Sequence, residues 1–322
     1  MNKNTYSIRL MVKCAQMYYE EDLNQGEIAE KLQISKSSVS RILASAREKE
    51  IVKIIVQNPM KDEYLNLEKA LEEKFKLKEV IIIDSKSNVP EEIKKGLGKA
   101  TAEYLQRVVK NGQLIGVTWG TTLCKIKDYV KNDKNKDVTF IPLVGGIGES
   151  NIDIQPNSIA LDLSRKFKGH CKLLHAPSIV DDPFRRDMFI KDKNIQNFFQ
   201  TMKKADISIM GIGSPFISSS TLMESGYITE EDVEELRKGG AVGDISSLFI
   251  DEYGNGDYFE LNKRIIGISL DDLKKIPLKI GVAGHITKKR AILAAILGGY
   301  LDILITDSGT AKEILNLQYS IK

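Results

Sequence analysis

The spacing of apolar residues predicts three short helices at the start of the chain. Residues 8–20 and 25–32 carry an apolar side chain every three or four positions, as a helix buried on one side does. Ser35 suits the N-cap of a third helix over residues 36–48. Two helices joined by a three-residue turn form a helix-turn-helix, so the sequence predicts this motif.

The outward face of the third helix carries side chains that are suited to DNA. Short hydroxyls and two cations lie near its start, where a helix in the major groove reaches base edges and phosphates. The alternative is an ordinary helical hairpin whose serines face water. Gln33 lies where such turns favour a left-handed glycine, at a cost of about 1 kcal/mol. The candidate DNA-binding residues are Gln25, Ser35, Lys36, Ser37, Ser38, Ser40 and Arg41.

A short strand and a further helix are predicted next. Residues 51–57 alternate and are rich in β-branched side chains, which predicts a strand or wing behind the third helix. Residues 61–76 have helical spacing, and we interpret them as a linker helix packed on the next domain, with a dimer contact as the alternative. The predicted domains are residues 1–58, a linker over 59–78, and a second domain over 79–322.

From residue 78 onward, apolar β-branched runs alternate with amphipathic helices. This order is typical of an open, mostly parallel α/β sheet with helices on both faces. The predicted strands are residues 79–83, 113–118, 138–143, 207–210, 279–283 and 303–306. The predicted fold class is therefore α/β, with a winged helix-turn-helix in front of the sheet domain.

Four of the predicted strands lead into loops of glycine, serine and threonine. Ligands of open α/β sheets bind beyond the carboxyl ends of the strands, and free N–H groups at helix N-termini favour anions. Each loop alone is an ordinary chain reversal, but four at one edge predict a small anionic or polyhydroxyl ligand. Lys288 is the candidate cation, with a solvated helix lysine as the alternative. The loops are residues 116–122, 211–214, 281–284 and 306–310.

Composition narrows the class of protein. The 322 residues include 42% hydrophobic and 28% charged residues, which is typical of a globular chain with more than one domain. No apolar run is long enough to span a membrane, and the polar start predicts no signal peptide, so we expect a cytoplasmic protein. The three cysteines and three histidines are scattered, and neither a Rossmann nor a Walker A pattern occurs. No metal or other cofactor is therefore predicted.

Ordered motifs run through both parts of the chain. They include Gln25-x-x-Ile28-Ala29-x-x-Leu32-x-Ile34-Ser35-x-x-x-Val39-Ser40-Arg41, Trp119-Gly120-Thr121-Thr122, Leu143-Val144-Gly145-Gly146, Gly211-Ile212-Gly213, Gly240-Ala241-Val242-Gly243-Asp244, Asn262-Lys263-Arg264 and Leu304-Ile305-Thr306-Asp307. Through them the chain resembles the SorC-type bacterial transcription regulators over nearly its whole length. The resemblance implies an effector domain related to sugar-phosphate isomerases and glucosamine-phosphate deaminases. It also implies a homotetramer, a dimer of dimers, that binds a sugar or sugar phosphate and thereby alters its hold on operator DNA.

The resemblance further implies which residues contact the effector. Val144 stands where some relatives carry a basic residue, so neither a second phosphate nor an imine is expected there. His285 stands where a second glycine is common, and it either narrows the pocket or adds a hydrogen bond. The implied phosphate contacts are Gly120, Thr121, Thr122 and Lys288; Gln155, Asn157, Asp244 and Arg264 look like contacts to sugar hydroxyls, and Gly211 and Gly213 complete the set.

A second class of function is a sugar-phosphate isomerase or deaminase fused to a helix-turn-helix. Acidic residues at predicted loop positions, namely Glu149, Asp153, Asp181 and Asp244, motivate it. Aldose–ketose interconversion needs a base that is tuned by its surroundings, and the sequence shows no separate sign of one. We therefore expect a ligand-gated DNA-binding regulator and no enzyme.

Overall fold

The computed structural model describes residues 6–54, 64–85, 89–131, 136–148, 152–216, 221–224 and 226–317. The chain divides into two compact units, Met1–Asp62 and Glu63–Lys322. The predicted domain boundary at residue 58 lies outside the described residues and stays a prediction.

Three helices build the described part of the first unit, residues 6–54. They are α1 (Ile8–Tyr19), α2 (Gln25–Leu32) and α3 (Lys36–Glu48). A capping box starts α2, because the Asn24 N–H donates to Glu27 Oε2 at 2.7 Å while the Asn24 side chain accepts from the first turn. One apolar face of each helix is buried in a shared core formed by Met11, Cys14, Ile28, Ala29, Val39, Ile42, Leu43 and Ala46. The predicted helix-turn-helix is confirmed.

The turn between α2 and α3 has the left-handed backbone that the motif requires. Gln33 adopts φ 54° and ψ 44°, although it is not a glycine. The next residue, Ile34, donates its N–H to Ala29 O at 3.0 Å and closes the turn. Glutamine therefore takes the conformation that glycine would take at lower cost.

The predicted wing is not formed over the residues that can be described. Residues 51–54 form no strand, because the N–H groups of Ile51 and Val52 both donate to Ala46 O, at 2.9 and 3.2 Å. These bonds extend the C-terminal cap of α3 instead of a strand ladder. Residues 55–57 of that prediction lie outside the described part of the chain.

The predicted linker helix packs on the second unit. Its described part is α4 (Leu65–Phe75), which lies against the first strand, β1 (Glu79–Ile83). Leu71 is fully buried, and the Val80 N–H donates to the Glu72 carboxylate at 2.8 Å. Within this unit, α4 is thus a helix of the sheet's outer layer.

Among the described residues, nine strands form the sheet of the second unit. Besides β1 they are β2 (Leu114–Val117), β3 (Thr139–Pro142), β4 (His170–Cys171), β5 (Ile207–Gly213), β6 (Ala241–Ile245), β7 (Leu248–Asp251), β8 (Leu278–Val282) and β9 (Ile303–Asp307). Seven run parallel in the order β1-β9-β8-β5-β2-β3-β4, and the β6–β7 hairpin pairs antiparallel with β5. The mostly parallel α/β sheet is confirmed, and all six predicted strands are present. β4, β6 and β7 were not predicted.

Helices cover both faces of this sheet. Ile303 and Ile305 of β9 belong to one apolar core, while Leu304 between them belongs to the other. A strand that is buried on both sides reads as a continuous apolar run, which explains the sequence pattern. The helices are α5 (Pro90–Val108), α6 (Pro156–Phe167), α7 (Pro183–Lys191), α8 (Lys193–Met202), α9 (Thr221–Glu224), α10 (Glu230–Lys238), α11 (Leu270–Lys274), α12 (Lys289–Leu297) and α13 (Ser308–Asn316). Among the described residues, no helix is both long and apolar enough to cross a membrane.

Candidate functional site

A cavity of about 360 Å³ opens at the carboxyl edge of the sheet. It lies where β2 and β5 are neighbours, and the chain leaves β2 toward β3 on one side and β5 toward β8 on the other. Such a topological switch point is where open α/β sheets bind ligands. The volume falls within the range of small-molecule sites.

Three of the four predicted loops line this cavity, namely those after β2, β5 and β8. The loop after β9 acts indirectly. The carboxylate of Asp307 accepts hydrogen bonds from the His285 N–H at 2.7 Å and from the Thr310 hydroxyl at 2.6 Å. Asp307 therefore holds the neighbouring loop of His285 in place without facing the cavity.

Small residues bring the backbone close to the cavity. Gly120 has φ 144°, a conformation that side-chain-bearing residues rarely adopt. The Gly211 N–H donates to the Thr118 hydroxyl at 3.1 Å, which ties the loops after β2 and β5 together. A side chain at Gly213 would collide with the carboxylate of Asp244. Glycine at this position leaves Asp244 room at the cavity wall.

Two lysines and two carboxylates, the buried Asp244 and the exposed Glu224, give the cavity its charge. Lys288 and Lys94 both line it, and Lys94 Nζ also bonds the Glu91 carboxylate at 2.8 Å. Burial lowers the pKa of Lys288. The carboxylate of Asp244 raises this pKa, and the charge of Lys94 lowers it further. Burial raises the pKa of Asp244 to about 6, against the effects of Lys288 and of a backbone N–H from Ser247.

His285 lines the same cavity on an unusual backbone. Its φ of 82° and ψ of 131° lie outside the left-handed helical region. A residue held there stores about 1–3 kcal/mol of strain, and such strain concentrates at functional sites. The imidazole is fixed by a 2.8 Å hydrogen bond between Nδ1 and the Thr287 hydroxyl.

Three of the ten implied effector contacts lie outside the cavity lining, because their polar atoms bond elsewhere. Gln155 Oε1 accepts the Ile147 N–H at 2.7 Å. Asn157 exchanges two hydrogen bonds with the backbone of Leu174, at 2.8 and 3.0 Å. Arg264 donates to Val180 O at 2.8 Å and to the Asp232 carboxylate at 3.0 Å. These three residues brace loops and helices, and their contact with the effector stays a prediction. The seven that line the cavity are Gly120, Thr121, Thr122, Gly211, Gly213, Asp244 and Lys288.

Sequence reasoning missed several residues of the lining, above all Lys94 and Ser246. Lys94 had a detectable pattern, because Pro90, Ile93, Lys94 and Leu97 share one face of α5 at spacings of three and four. Ser246 follows a strand that was not predicted. Its place in the lining depends on the β6–β7 hairpin and could not be read from local spacing.

Six of the seven candidate DNA-binding residues lie together at the start of α3. Ser35 caps the helix, since its Oγ accepts the Ser38 N–H at 3.1 Å. Lys36, Ser37, Ser40 and Arg41 are exposed, Ser38 is half-buried, and Gln25 at the start of α2 is half-buried as well. Their contact with DNA stays a prediction.

The acids that motivated an enzyme are scattered. Asp153 pairs with Lys127 at 3.2 Å, and Asp181 pairs with Arg185 on the surface. Glu149 lies outside the described residues, which leaves Asp244 as the described candidate in the cavity. Within the described part of the chain, no group of three or more His, Cys, Asp or Glu side chains is arranged to hold a metal ion.

Comparison with known proteins identifies the family. Residues 61–316 match the family described as "Putative sugar-binding domain", and residues 13–49 match region 4 of sigma-70. The deoxyribonucleoside regulator of Bacillus subtilis is 34% identical over 308 residues, which are 96% of this chain and 97% of that one. The sorbitol operon regulator of Klebsiella pneumoniae is 30% identical over 315 residues, 97% of this chain and 99% of that one. The chain belongs to the SorC family of sugar-binding transcriptional regulators.

Solved structures of related regulators share the fold. The full-length sorbitol operon regulator of Klebsiella pneumoniae has a TM-score of 0.76 at 29% identity, with 97% of this chain and 100% of that one covered. A DeoR family transcriptional regulator from Listeria monocytogenes has a TM-score of 0.72 at 35% identity, with 79% and 100% covered. This SorC-family chain is accordingly a DNA-binding transcriptional regulator with an effector-binding domain.

Proposed function

We propose that the effector of this regulator is a sugar phosphate, bound in the cavity at the carboxyl edge of the sheet. The observation that carries the proposal is that Lys288 and Lys94 line the same cavity as the glycine and threonine loop 120–122. Cations, hydroxyls and free backbone N–H groups are the donors that bind phosphate in proteins. Thr121, Thr122 and Lys288 hold the phosphate next to Gly120, whose own N–H donates to Ile154 O at 3.1 Å. Asp244 lies nearer the sugar hydroxyls.

The electrostatics at Lys288 favour an anionic ligand. Burial lowers the pKa of Lys288, the Asp244 carboxylate raises it in part, and the nearby Lys94 lowers it further. A phosphate beside Lys288 offsets both lowering effects, because an opposite charge favours the ammonium form. A neutral sugar offers no such compensation, so the phosphorylated compound is the better candidate.

Binding of the effector controls operator affinity through linkage. A ligand shifts an equilibrium only by the difference between its affinities for the two states. A coupling free energy of about 1–3 kcal/mol changes operator affinity about 5- to 150-fold. We propose that the assembly is a homotetramer, a dimer of dimers, and that it works in the cytoplasm.

We also propose that the chain has no isomerase or deaminase activity. Asp153 and Asp181 are engaged in ion pairs outside the cavity. Asp244 accepts a hydrogen bond from the Ser247 N–H and so helps to hold the β6–β7 turn. Measurable turnover of ribose or glucosamine phosphates that is lost in Asp244→Asn would contradict this proposal.

The test is DNA binding by the purified full chain. Fluorescence anisotropy with DNA from the protein's own upstream region is measured with and without a panel of sugar phosphates. One compound is expected to change the DNA dissociation constant at least 5-fold, within the usual range of coupling. If no DNA is bound under any ligand, or if free sugars act as well as their phosphates, the proposal is wrong.

Lys288→Gln should abolish the effect of the active compound on DNA binding, because it removes the cation that faces the phosphate. Lys289→Gln is the matched control. Lys289 is the next residue along the chain, it pairs with Glu313 at 2.7 Å, and it does not line the cavity. Equal losses in both variants would indicate a general effect of charge on the helix and would count against a phosphate contact at Lys288.

A further inference from the structure

Ser246 carries a buried hydroxyl group. The residue is 3% exposed and lines the cavity. Among the described residues, Ser246 Oγ has no hydrogen-bond partner. Buried polar groups in folded proteins are nearly always bonded, so an unbonded hydroxyl at a cavity wall indicates a bond that a ligand completes.

The backbone at Ser246 is strained. Ser246 and Ser247 have φ of 54° and 66° and form the two-residue turn of the β6–β7 hairpin, in which Ile245 pairs with Leu248. Turns with two left-handed residues favour Asn-Gly or Gly-Gly. Serine therefore stands where glycine would fold more easily, which points to a use for the side chain.

Two contacts fix this turn against the wall of the cavity. The Trp119 Nε1–H donates to Ser247 Oγ at 2.9 Å. The carboxylate of Asp244 accepts the Ser247 N–H. Because Trp119 directly precedes Gly120, the turn is tied to the loop proposed to hold the phosphate. The backbone of Ser246 thus has a fixed position relative to that loop.

Other buried hydroxyls in the second unit show that lack of a partner alone does not mark a ligand contact. Ser178, Ser208 and Thr306 also have unbonded buried hydroxyls. None of the three lines the cavity, and none has a left-handed backbone. Ser246 combines an unbonded buried hydroxyl, a place in the cavity lining and a left-handed backbone. Ser208 on β5 provides a control of the same residue type.

We propose that Ser246 is a specificity-determining residue that binds a hydroxyl group of the effector. The inference rests on the proposed function and deepens it. The phosphate lies at loop 120–122 and Lys288, while Ser246 and Asp244 address the carbon chain from the β6 side. The effector is then a phosphorylated sugar or polyol with a free hydroxyl that reaches the β6–β7 turn, and a phosphate ester of an apolar group binds poorly.

Isothermal titration calorimetry with Ser246→Ala in the full chain tests this proposal. The probes are ribose 5-phosphate, glucose 6-phosphate, sorbitol 6-phosphate, their monodeoxy analogues and inorganic phosphate. For the sugar phosphate that wild type binds most tightly, the variant should bind about 3- to 10-fold more weakly, as expected for one neutral hydrogen bond. For the analogue that lacks the contacted hydroxyl, wild type and variant should bind equally, because the two deletions remove the same contact. Inorganic phosphate should bind both proteins equally.

Two further variants keep the test decisive. Ser208→Ala removes a buried unbonded hydroxyl away from the cavity and should leave every dissociation constant unchanged. Ser246→Gly removes the hydroxyl and suits the left-handed backbone, so it should fold at least as stably as wild type and repeat the loss of affinity.

Each contrary outcome has a distinct meaning. If Ser246→Ala binds every sugar phosphate as wild type does, the role of Ser246 is disproved and the proposed function stands. If affinity for inorganic phosphate falls equally, the substitution has disturbed the phosphate loop, and the hydroxyl contact is again disproved. If wild type binds none of the phosphorylated probes and responds only to free sugars, the proposed function fails and the role of Ser246 fails with it.

Discussion

At the scale of single residues, Asp244 shows how tertiary burial changes the chemistry of one side chain. It is 4% exposed, and burial raises its pKa from 3.8 to about 6. A raised pKa means that the folded protein binds the proton more tightly than the unfolded chain. The contribution of Asp244 to stability is therefore present at low pH and is lost as the pH rises from about 4 through about 6.

Asp244→Asn should consequently stabilise the ligand-free protein in a pH-dependent way. The gain in the free energy of unfolding over wild type should grow between pH 4 and pH 6, toward at most about 3 kcal/mol, and then level off. Loss of the favourable interaction with Lys288 offsets part of it. Urea unfolding of both proteins at several pH values measures the difference. A difference that does not vary with pH would show that Asp244 titrates normally.

At the scale of elements, α3 separates its buried face from the exposed face that we propose binds DNA. Val39, Ile42 and Ala46 are buried in the first unit's core, whereas Lys36 and Arg41 are exposed. A helix can therefore lose an outward side chain without losing its fold. Recognition helices contact bases and phosphates chiefly through their N-terminal residues.

Arg41→Ala should weaken operator binding and reduce the salt slope by about one charge if Arg41 contacts a phosphate. Arg47→Ala is the control, because Arg47 is also exposed but lies in the last turn of α3. Salt titrations of DNA affinity measure both slopes, and circular dichroism should show unchanged helix content. A smaller effect for Arg41→Ala than for Arg47→Ala would mean that α3 does not meet DNA by its N-terminal half.

At the scale of the whole molecule, two compact units join an HTH motif to an effector domain in one chain. An effector controls operator binding only if it binds the DNA-free and the DNA-bound conformations with different affinities. In the proposed dimer of dimers, pairing of subunits supplies such states, because several helix-turn-helix motifs are presented at fixed spacing.

Sedimentation velocity should therefore show a species of four 36.0 kDa chains without DNA, and the active sugar phosphate should change its stability or shape. A single species of one chain at all concentrations, with operator affinity still responding to the effector, would contradict the tetramer. It would not contradict binding in the cavity.

Much of the fold was predictable, because the deciding interactions are local in sequence. The three N-terminal helices follow from apolar spacing and from the Ser35 cap. The six strands of the parallel sheet that were predicted are continuous apolar runs, since both of their faces are buried. The β6–β7 hairpin escaped prediction because Ser246 and Ser247 lack the Asn-Gly pattern of such a turn.

The candidate site was only partly predictable. Loops 116–122 and 211–214 were identified because glycine, serine and threonine at strand ends supply backbone N–H groups and hydroxyls for a ligand. The sequence alone reveals these residue types. Gln155, Asn157 and Arg264 were assigned to the site by resemblance, but each satisfies backbone or carboxylate groups elsewhere. Which polar atoms remain available for a ligand depends on every bond that the fold has already formed.

The sequence by itself determined the helix-turn-helix, the order of the strands along the chain and the presence of loops suited to anions. These features depend on periodicity, caps and turns, which act over a few residues. Only the tertiary structure decided which loops share a cavity, that Lys94 joins Lys288 there, and that Ser246 is left with an unbonded hydroxyl. Those facts depend on strand neighbours, burial and hydrogen-bond competition between residues that lie far apart in the chain.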